Sequence, residues 1–227
     1  NIVSSADVTA DAVYVRIRRA IMDGTYPPGM RLIEGRLAEE LGAAARRAAG
    51  IARAAAEGLI VSYPNRGAAV RTFTYEDITQ IFDLRAVLEG FGAFQAALRI
   101  TAAQLEQLES HAYTLESTTP NRFPTRQEEV EFITDVNRQF HATIVDASGN
   151  THLTDMLRTI VAVPLQFQAF YWYTAEERRI SNFFHRRILD ALRNHEADRA
   201  RAMMQEHIYF GRDFSLNFLK EKLDGAE

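Results

Sequence analysis

Val13-Tyr14-Val15-Arg16-Ile17-Arg18-Arg19-Ala20-Ile21-Met22-Asp23-Gly24-Thr25-Tyr26-Pro27-Pro28-Gly29 decides how the front of this chain folds. Over residues 14–23 the spacing sets Val13, Ile17, Ala20 and Ile21 on one helical face, and Gly24 stops the helix. Tyr26-Pro27-Pro28-Gly29 is a rigid turn, because two prolines fix φ and the glycine lets the chain change direction. Residues 34–41 predict a short second helix with Leu37, Ala38 and Leu41 inward and Gly42 at its end. Residues 43–57 predict a third helix ending at Glu57-Gly58. Leu59-Ile60-Val61 reads as a strand, Pro64-Asn65-Arg66-Gly67 as a turn, and residues 68–71 as the return strand.

Beyond Thr74 no strand signal recurs. Thr74-Tyr75-Glu76-Asp77 and Thr101-Ala102-Ala103-Gln104 both have capping-box spacing, and they open helices to about Leu98 and Thr114. Residues 117–124 predict a loop. Further helices are expected over 126–147, 151–172, 175–193 and 197–222, separated by Ser148-Gly149-Asn150, Thr174 and Asn194-His195. Ile133, Val136, Phe140 and Ile144 show the apolar period of a packed helix. The fold class is mainly α: a front unit over residues 1–73 and an all-α bundle of about six helices over 74–227.

Apolar residues make up 47% of the 227 and charged residues 25%, which excludes a disordered or low-complexity chain. Cysteine is absent, which excludes a disulfide framework, a thiolate zinc site and a cysteine nucleophile. No apolar run reaches the roughly 18 residues that span a bilayer, and the amino end lacks a signal-peptide pattern. A soluble, cytoplasmic protein that binds no membrane is expected. Residues 14–72 hold ten arginines against five acids, a net of +5, whereas residues 73–227 hold 16 basic against 23 acidic residues. A basic front on an acidic body points to an anion-binding module joined to something else.

Two helices joined by a tight turn and followed by a β-hairpin form a winged helix-turn-helix, whose second helix fits the major groove of duplex DNA. Arg46 and Arg47 stand near the start of the reading helix. Arg31 and Arg36 suit phosphate contacts, and Arg66-Gly67 forms the wing tip, where a small residue lets backbone approach the minor groove. Val13-Tyr14-Val15-Arg16-Ile17-Arg18, residues 21–32, Leu37-Ala38-Glu39-Glu40-Leu41-Gly42, Ala56-Glu57-Gly58-Leu59-Ile60 and Pro64-Asn65-Arg66-Gly67-Ala68 resemble the DNA-binding domain of GntR-superfamily transcription regulators. One stretch departs from that likeness. Where those regulators carry a Ser-Arg-Thr-Pro-Val-Arg-like run, this chain reads Ala43-Ala44-Ala45-Arg46-Arg47-Ala48-Ala49-Gly50, one residue shorter. Nine of residues 43–56 are alanine, which makes no hydrogen bond to a base.

Of the six histidines, three have partners by spacing. Asn137 and His141 are i and i+4, hence neighbours on one helix face. His185 and His207 are equidistant from residue 196, so an antiparallel hairpin turning at Asn194-His195-Glu196 sets both imidazoles at one height. Three imidazoles and a carbonyl oxygen suit a divalent transition ion, Zn²⁺ or Ni²⁺; the same spacing also fits three unrelated histidines.

Phe82-Asp83-Leu84-Arg85-Ala86-Val87-Leu88-Glu89-Gly90, Asn137-Arg138-Gln139-Phe140-His141, Ser148-Gly149-Asn150, His185-Arg186-Arg187-Ile188-Leu189 and His207 resemble the FCD domain, the all-helical effector-binding domain of the FadR branch of GntR regulators, in its shorter VanR-like form. Metal-binding members of that family use one acidic residue and three histidines, at positions matching Asn137, His141, His185 and His207. Asn137 stands where Asp is usual, and a neutral amide oxygen is the weaker ligand. The resemblance implies a small organic acid as effector. Arg85 is the candidate for its carboxylate, although Arg85 and Glu89 at i and i+4 also suit a structural ion pair. The expectation is a homodimeric, non-enzymatic repressor binding double-stranded operator DNA; the alternative is a metal-dependent enzyme acting on a small carboxylate.

Overall fold

The computed structural model describes residues 9–22, 25–32, 44–56, 58–63, 67–119, 122–160, 170 and 172–224. The chain divides into two compact units, the first ending at Phe73 and the second beginning at Thr74.

In the first unit, α1 (Ala10–Met22) buries Val13, Tyr14, Ile17 and Ile21. It begins four residues before the expected start, because the Thr9 hydroxyl accepts from the Ala12 amide at 3.1 Å and closes the first turn. The expected helix over 34–41 lies outside the described residues. The third expected helix is α2 (Ala44–Ala56), which packs on α1. Gly50 sits at their crossing: a Cβ there would lie 2.6 Å from Val13 Cγ1 and 3.0 Å from the Ala10 carbonyl. Arg53 adds an outer tie, donating to Asp11 at 2.6 Å while lying over the Tyr14 ring.

Three antiparallel strands complete this unit: β1 (Arg31–Leu32), β2 (Ile60–Tyr63) and β3 (Gly67–Val70), in the order β1-β3-β2. The register pairs Ile60 with Val70, Tyr63 with Gly67, and Arg31 with Ala69. The hairpin matches the sequence reading, whereas β1 adds a strand that the reading missed. A two-residue strand offers no alternation to detect.

In the second unit, α3 (Tyr75–Ala97), α4 (Ala102–Ser117) and α7 (Ala175–Arg193) each start with a full capping box, from Thr74 with Asp77, Thr101 with Gln104, and Thr174 with Glu177. Thr125 caps α5 (Arg126–Ala147) by accepting from the Glu128 amide. Then come α6 (Thr151–Ile160) and, after α7, the long α8 (Ala197–Asp224). Of the stretch expected as helix over 151–172, residues 161–169 and 171 lie outside the described residues. Phe140, Ile144, Ile188, Leu189, Leu192 and Met204 are fully buried and form the middle of the bundle. Helix α8 lies along α3. Gly90 permits the approach, since a Cβ there would come within 2.8 Å of Gln205 Cγ.

Candidate metal centre

Helix α5 supplies Asn137 and His141 one turn apart, α7 supplies His185 and α8 supplies His207, all of them buried. The α7–α8 turn sets the height of the last two. His195 takes the left-handed conformation there (φ 56°), and its Nδ1–H donates to the Ala97 carbonyl at 2.7 Å. That bond ties the turn to the end of α3. The three imidazoles then meet. His141 Nε2 lies 3.2 Å from His207 Nε2, and His185 Nε2 lies 3.1 Å from the same atom. The donor atoms of all three rings fall within 4.8 Å of one another.

This geometry is compatible with a shared cation. Two nitrogens on one ion at ~2.0–2.1 Å, with an angle between 90° and 110°, stand roughly 2.9–3.4 Å apart, as these do. Proton accounting gives the same answer. Glu89 Oε2 lies 2.6 Å from His141 Nδ1; a carboxylate only accepts, so that nitrogen carries the hydrogen, and in the neutral ring Nε2 presents a lone pair. His207 Nε2 touches both other rings, and one N–H cannot serve both contacts. His185 Nδ1, His207 Nδ1 and Asn137 Oδ1 are buried with no hydrogen-bond partner among the described residues. Burial pushes the His185 and His207 imidazoles well below the usual 6.5, and neighbouring His141 pushes them further. The neutral form, which is the one that ligates, is therefore favoured at both.

Glu89 is in direct contact with the cluster. Burial alone would push its carboxyl up, but the Arg85 guanidinium and His141 overcome this and hold it at about 2. Arg85 Nε donates to Glu89 Oε1 at 2.8 Å, with both side chains almost fully buried. The ion-pair alternative for Arg85 is thus present in the structure. The same residue also lines a cavity of about 40 Å³ with Phe82, Asn137, His141, Tyr173, Ser181 and His207, which gives room for a few water-sized groups. Burial raises the Tyr173 phenol, keeping its hydroxyl protonated as a donor. Beside the cavity, the buried Glu129 accepts from Arg126 at 2.8 Å and Arg178 at 2.6 Å, and Arg126 also donates to the Phe170 carbonyl. The sequence reading missed Glu129 and Ser181. An acidic residue one turn from the α5 cap looks like an ordinary first-turn Glu.

The DNA-contact candidates are placed less fully. Arg31 is exposed on β1, and Gly67 opens β3 with φ 78°. Arg46 and Arg47 lie in the first turn of α2 by their backbone; their side chains, together with Arg36 and Arg66, lie outside the described residues.

The FCD domain family matches residues 80–210, more than half of the chain. The chain belongs to the FCD family of GntR regulators. Among relatives of this GntR–FCD protein, the HTH-type transcriptional regulator YdhC of Bacillus subtilis is 27% identical over 198 residues, covering 86% of this chain and 85% of YdhC. The solved structure of E. coli McbR/YncC has the same fold (TM-score 0.65, 21% identity, covering 92% of this chain and 95% of that one). So does a GntR-family transcriptional regulator of Pseudomonas syringae pv. tomato (TM-score 0.56, 19% identity, covering 96% and 89%). No helix among the described residues is long and apolar enough to cross a membrane.

Proposed function

We propose that this GntR-family regulator is a homodimeric, cytoplasmic repressor that releases operator DNA on binding a small organic acid beside a divalent metal ion. The observation that carries the reading is the convergence of three buried imidazole Nε2 atoms with no proton arrangement that satisfies them all. His141, His185 and His207 would hold the ion, with the Asn137 amide oxygen as a fourth, weaker ligand; Zn²⁺ or Ni²⁺ suits this donor set. When bound, the ion supplies a Lewis-acidic point for an anionic ligand. The protein's own groups do the rest. The Arg85 guanidinium offers planar recognition of a carboxylate, Tyr173 and Ser181 offer hydroxyls at the cavity wall, and Phe82 excludes water from one side.

The basic front unit supports duplex binding. Arg31 and Arg36 would set register on phosphates, Arg46 and Arg47 would enter the major groove, and Arg66-Gly67 would track the minor groove. Two copies would read a pseudo-palindrome, matching a two-fold dimer. Effector binding would change operator affinity through a coupling of about 1–3 kcal/mol.

The test begins with metal analysis of the purified protein. Thermal-shift screening of organic acids with and without chelator comes second, and salt-dependent binding to duplex DNA third. His185→Ala is expected to abolish the metal-dependent part of any shift while leaving duplex binding intact. Unchanged metal content in that variant removes His185 from the site. Turnover of a candidate acid would instead favour the enzyme.

A further inference from the structure

The three rings are not held alike. His185 and His207 have far nitrogens without partners among the described residues, whereas the far nitrogen of His141 is gripped at 2.6 Å by a carboxylate. That carboxylate is itself fixed: each oxygen of Glu89 has one partner, Oε1 taking Arg85 Nε and Oε2 taking His141 Nδ1. All three side chains are at least nine-tenths buried and span α3 and α5, so neither partner can swing away into water.

From this we infer that Glu89 is the positioning residue of the metal centre: it acts through His141, locking the tautomer that turns the Nε2 lone pair toward His185 and His207, with Arg85 locking Glu89 in turn. The inference rests on the metal reading proposed for the three imidazoles. Its physical basis is general. A carboxylate accepting the far N–H of a ligating imidazole fixes the ring's orientation and raises its basicity. It carries particular weight here because Asn137 and the three imidazoles make a donor set of neutral groups, and the carboxylate that contacts the cluster among the described residues stands behind a ligand rather than among the ligands. The arrangement also joins the effector candidate to the metal. Arg85 holds Glu89 and lines the cavity, so a carboxylate drawn to Arg85 competes with Glu89 for the same guanidinium.

The test uses the chelator-stripped full chain and Zn²⁺ alone as probe. In the wild-type protein, ¹⁵N NMR of the imidazoles is expected to show His141 with a hydrogen on Nδ1; a neutral ring with its hydrogen on Nε2 instead overturns the inference without any mutation. In calorimetric titration, Glu89→Gln is expected to weaken Zn²⁺ binding by about 10–100-fold. Glu89→Asp, which keeps the charge but is one methylene short of a 2.6 Å contact, should fall between the two. Wild type that takes up no Zn²⁺ sinks the metal reading itself. Wild-type uptake matched by Glu89→Gln sinks the role of Glu89 alone. Should Glu89→Gln fail to fold, the tautomer measured in the wild type still decides.

Discussion

The front unit and the buried middle of the helical body use charge in opposite ways. In the body, Arg85, Glu89 and Glu129 are buried, and each has found its counterpart: Arg85 with Glu89, Glu89 with His141, and Glu129 with Arg126 and Arg178. In the front unit, Arg31 is exposed, and the pair of Arg53 with Asp11 lies at the surface. The difference teaches where chemistry can be read from a single chain. A buried charge must be matched inside the molecule, so its neighbours state its role. An exposed cation is satisfied by water and worth little to the fold; its meaning depends on a partner outside the chain.

The largest expected effect breaks the body. Phe140 is fully buried, with its ring 4.7 Å from that of His185. Phe140→Ala should cost about 3–5 kcal/mol, read as a lower urea midpoint, and should loosen the imidazole cluster that the ring supports. A loss below about 1 kcal/mol would mean that the bundle collapses around the gap and that the cluster does not depend on this packing.

Acid should come next. His185 and His207 are held well below 6.5 in the folded chain, so below about pH 6.5 the unfolded chain binds more protons and stability falls as pH falls. Each contributes up to about 1.4 kcal/mol per pH unit. Glu89 behaves differently: its folded value is depressed to about 2, so its contribution is present above its unfolded value and is lost only as pH drops from about 4.5 toward 2. The chelated protein should therefore lose stability between about pH 6.5 and 5, before the Glu89 carboxylate titrates. A flat profile over that window would show the two imidazoles to be more exposed to water than their burial indicates.

In the front unit the matching experiment fills space instead of removing it. Gly50→Ala gains about 1 kcal/mol of helix propensity, but the new methyl lies 2.6 Å from Val13 Cγ1. Overpacking at such a crossing costs about 1–3 kcal/mol. A net loss of about 1 kcal/mol, seen by amide exchange in α1 and α2, is expected. Stabilisation would mean that the two helices separate freely.

Legibility in the sequence divides along the same line. The body's helix starts could be read because Thr74-Asp77 and Thr101-Gln104 carry both halves of a capping box in four residues, and the structure closes both. The meeting of His185 and His207 could be read because equal distance from a hairpin turn is a one-dimensional quantity; the rings touch at 3.1 Å. The grip of Glu89 on His141 could not, because it crosses from α3 to α5, and no spacing along either helix reports which way a side chain leans. Arg85 showed the limit of spacing most plainly. Its i, i+4 relation to Glu89 fitted an ion pair and left an effector contact open, and the structure supplies the ion pair while keeping Arg85 at the cavity wall. Strand β1 escaped because two residues shortly after Pro27-Pro28-Gly29 have no period, and only pairing with Ala68 and Ala69 makes them a strand.

The smallest effect sharpens the comparison most. Arg31 stands on β1 opposite Ala69, exposed, its backbone held in the sheet whatever its side chain does. Arg31→Ala should therefore leave stability within about 0.5 kcal/mol of wild type, unlike any removal of a buried charge in the body. If its partner is a phosphate, duplex affinity should fall a few-fold and equally for all sequences. The slope of log affinity against log salt should also become shallower by about 0.9, because one fewer counterion is released. A fall confined to one sequence would make Arg31 a base reader. An unchanged slope would remove it from the interface and leave its charge a matter of solubility alone.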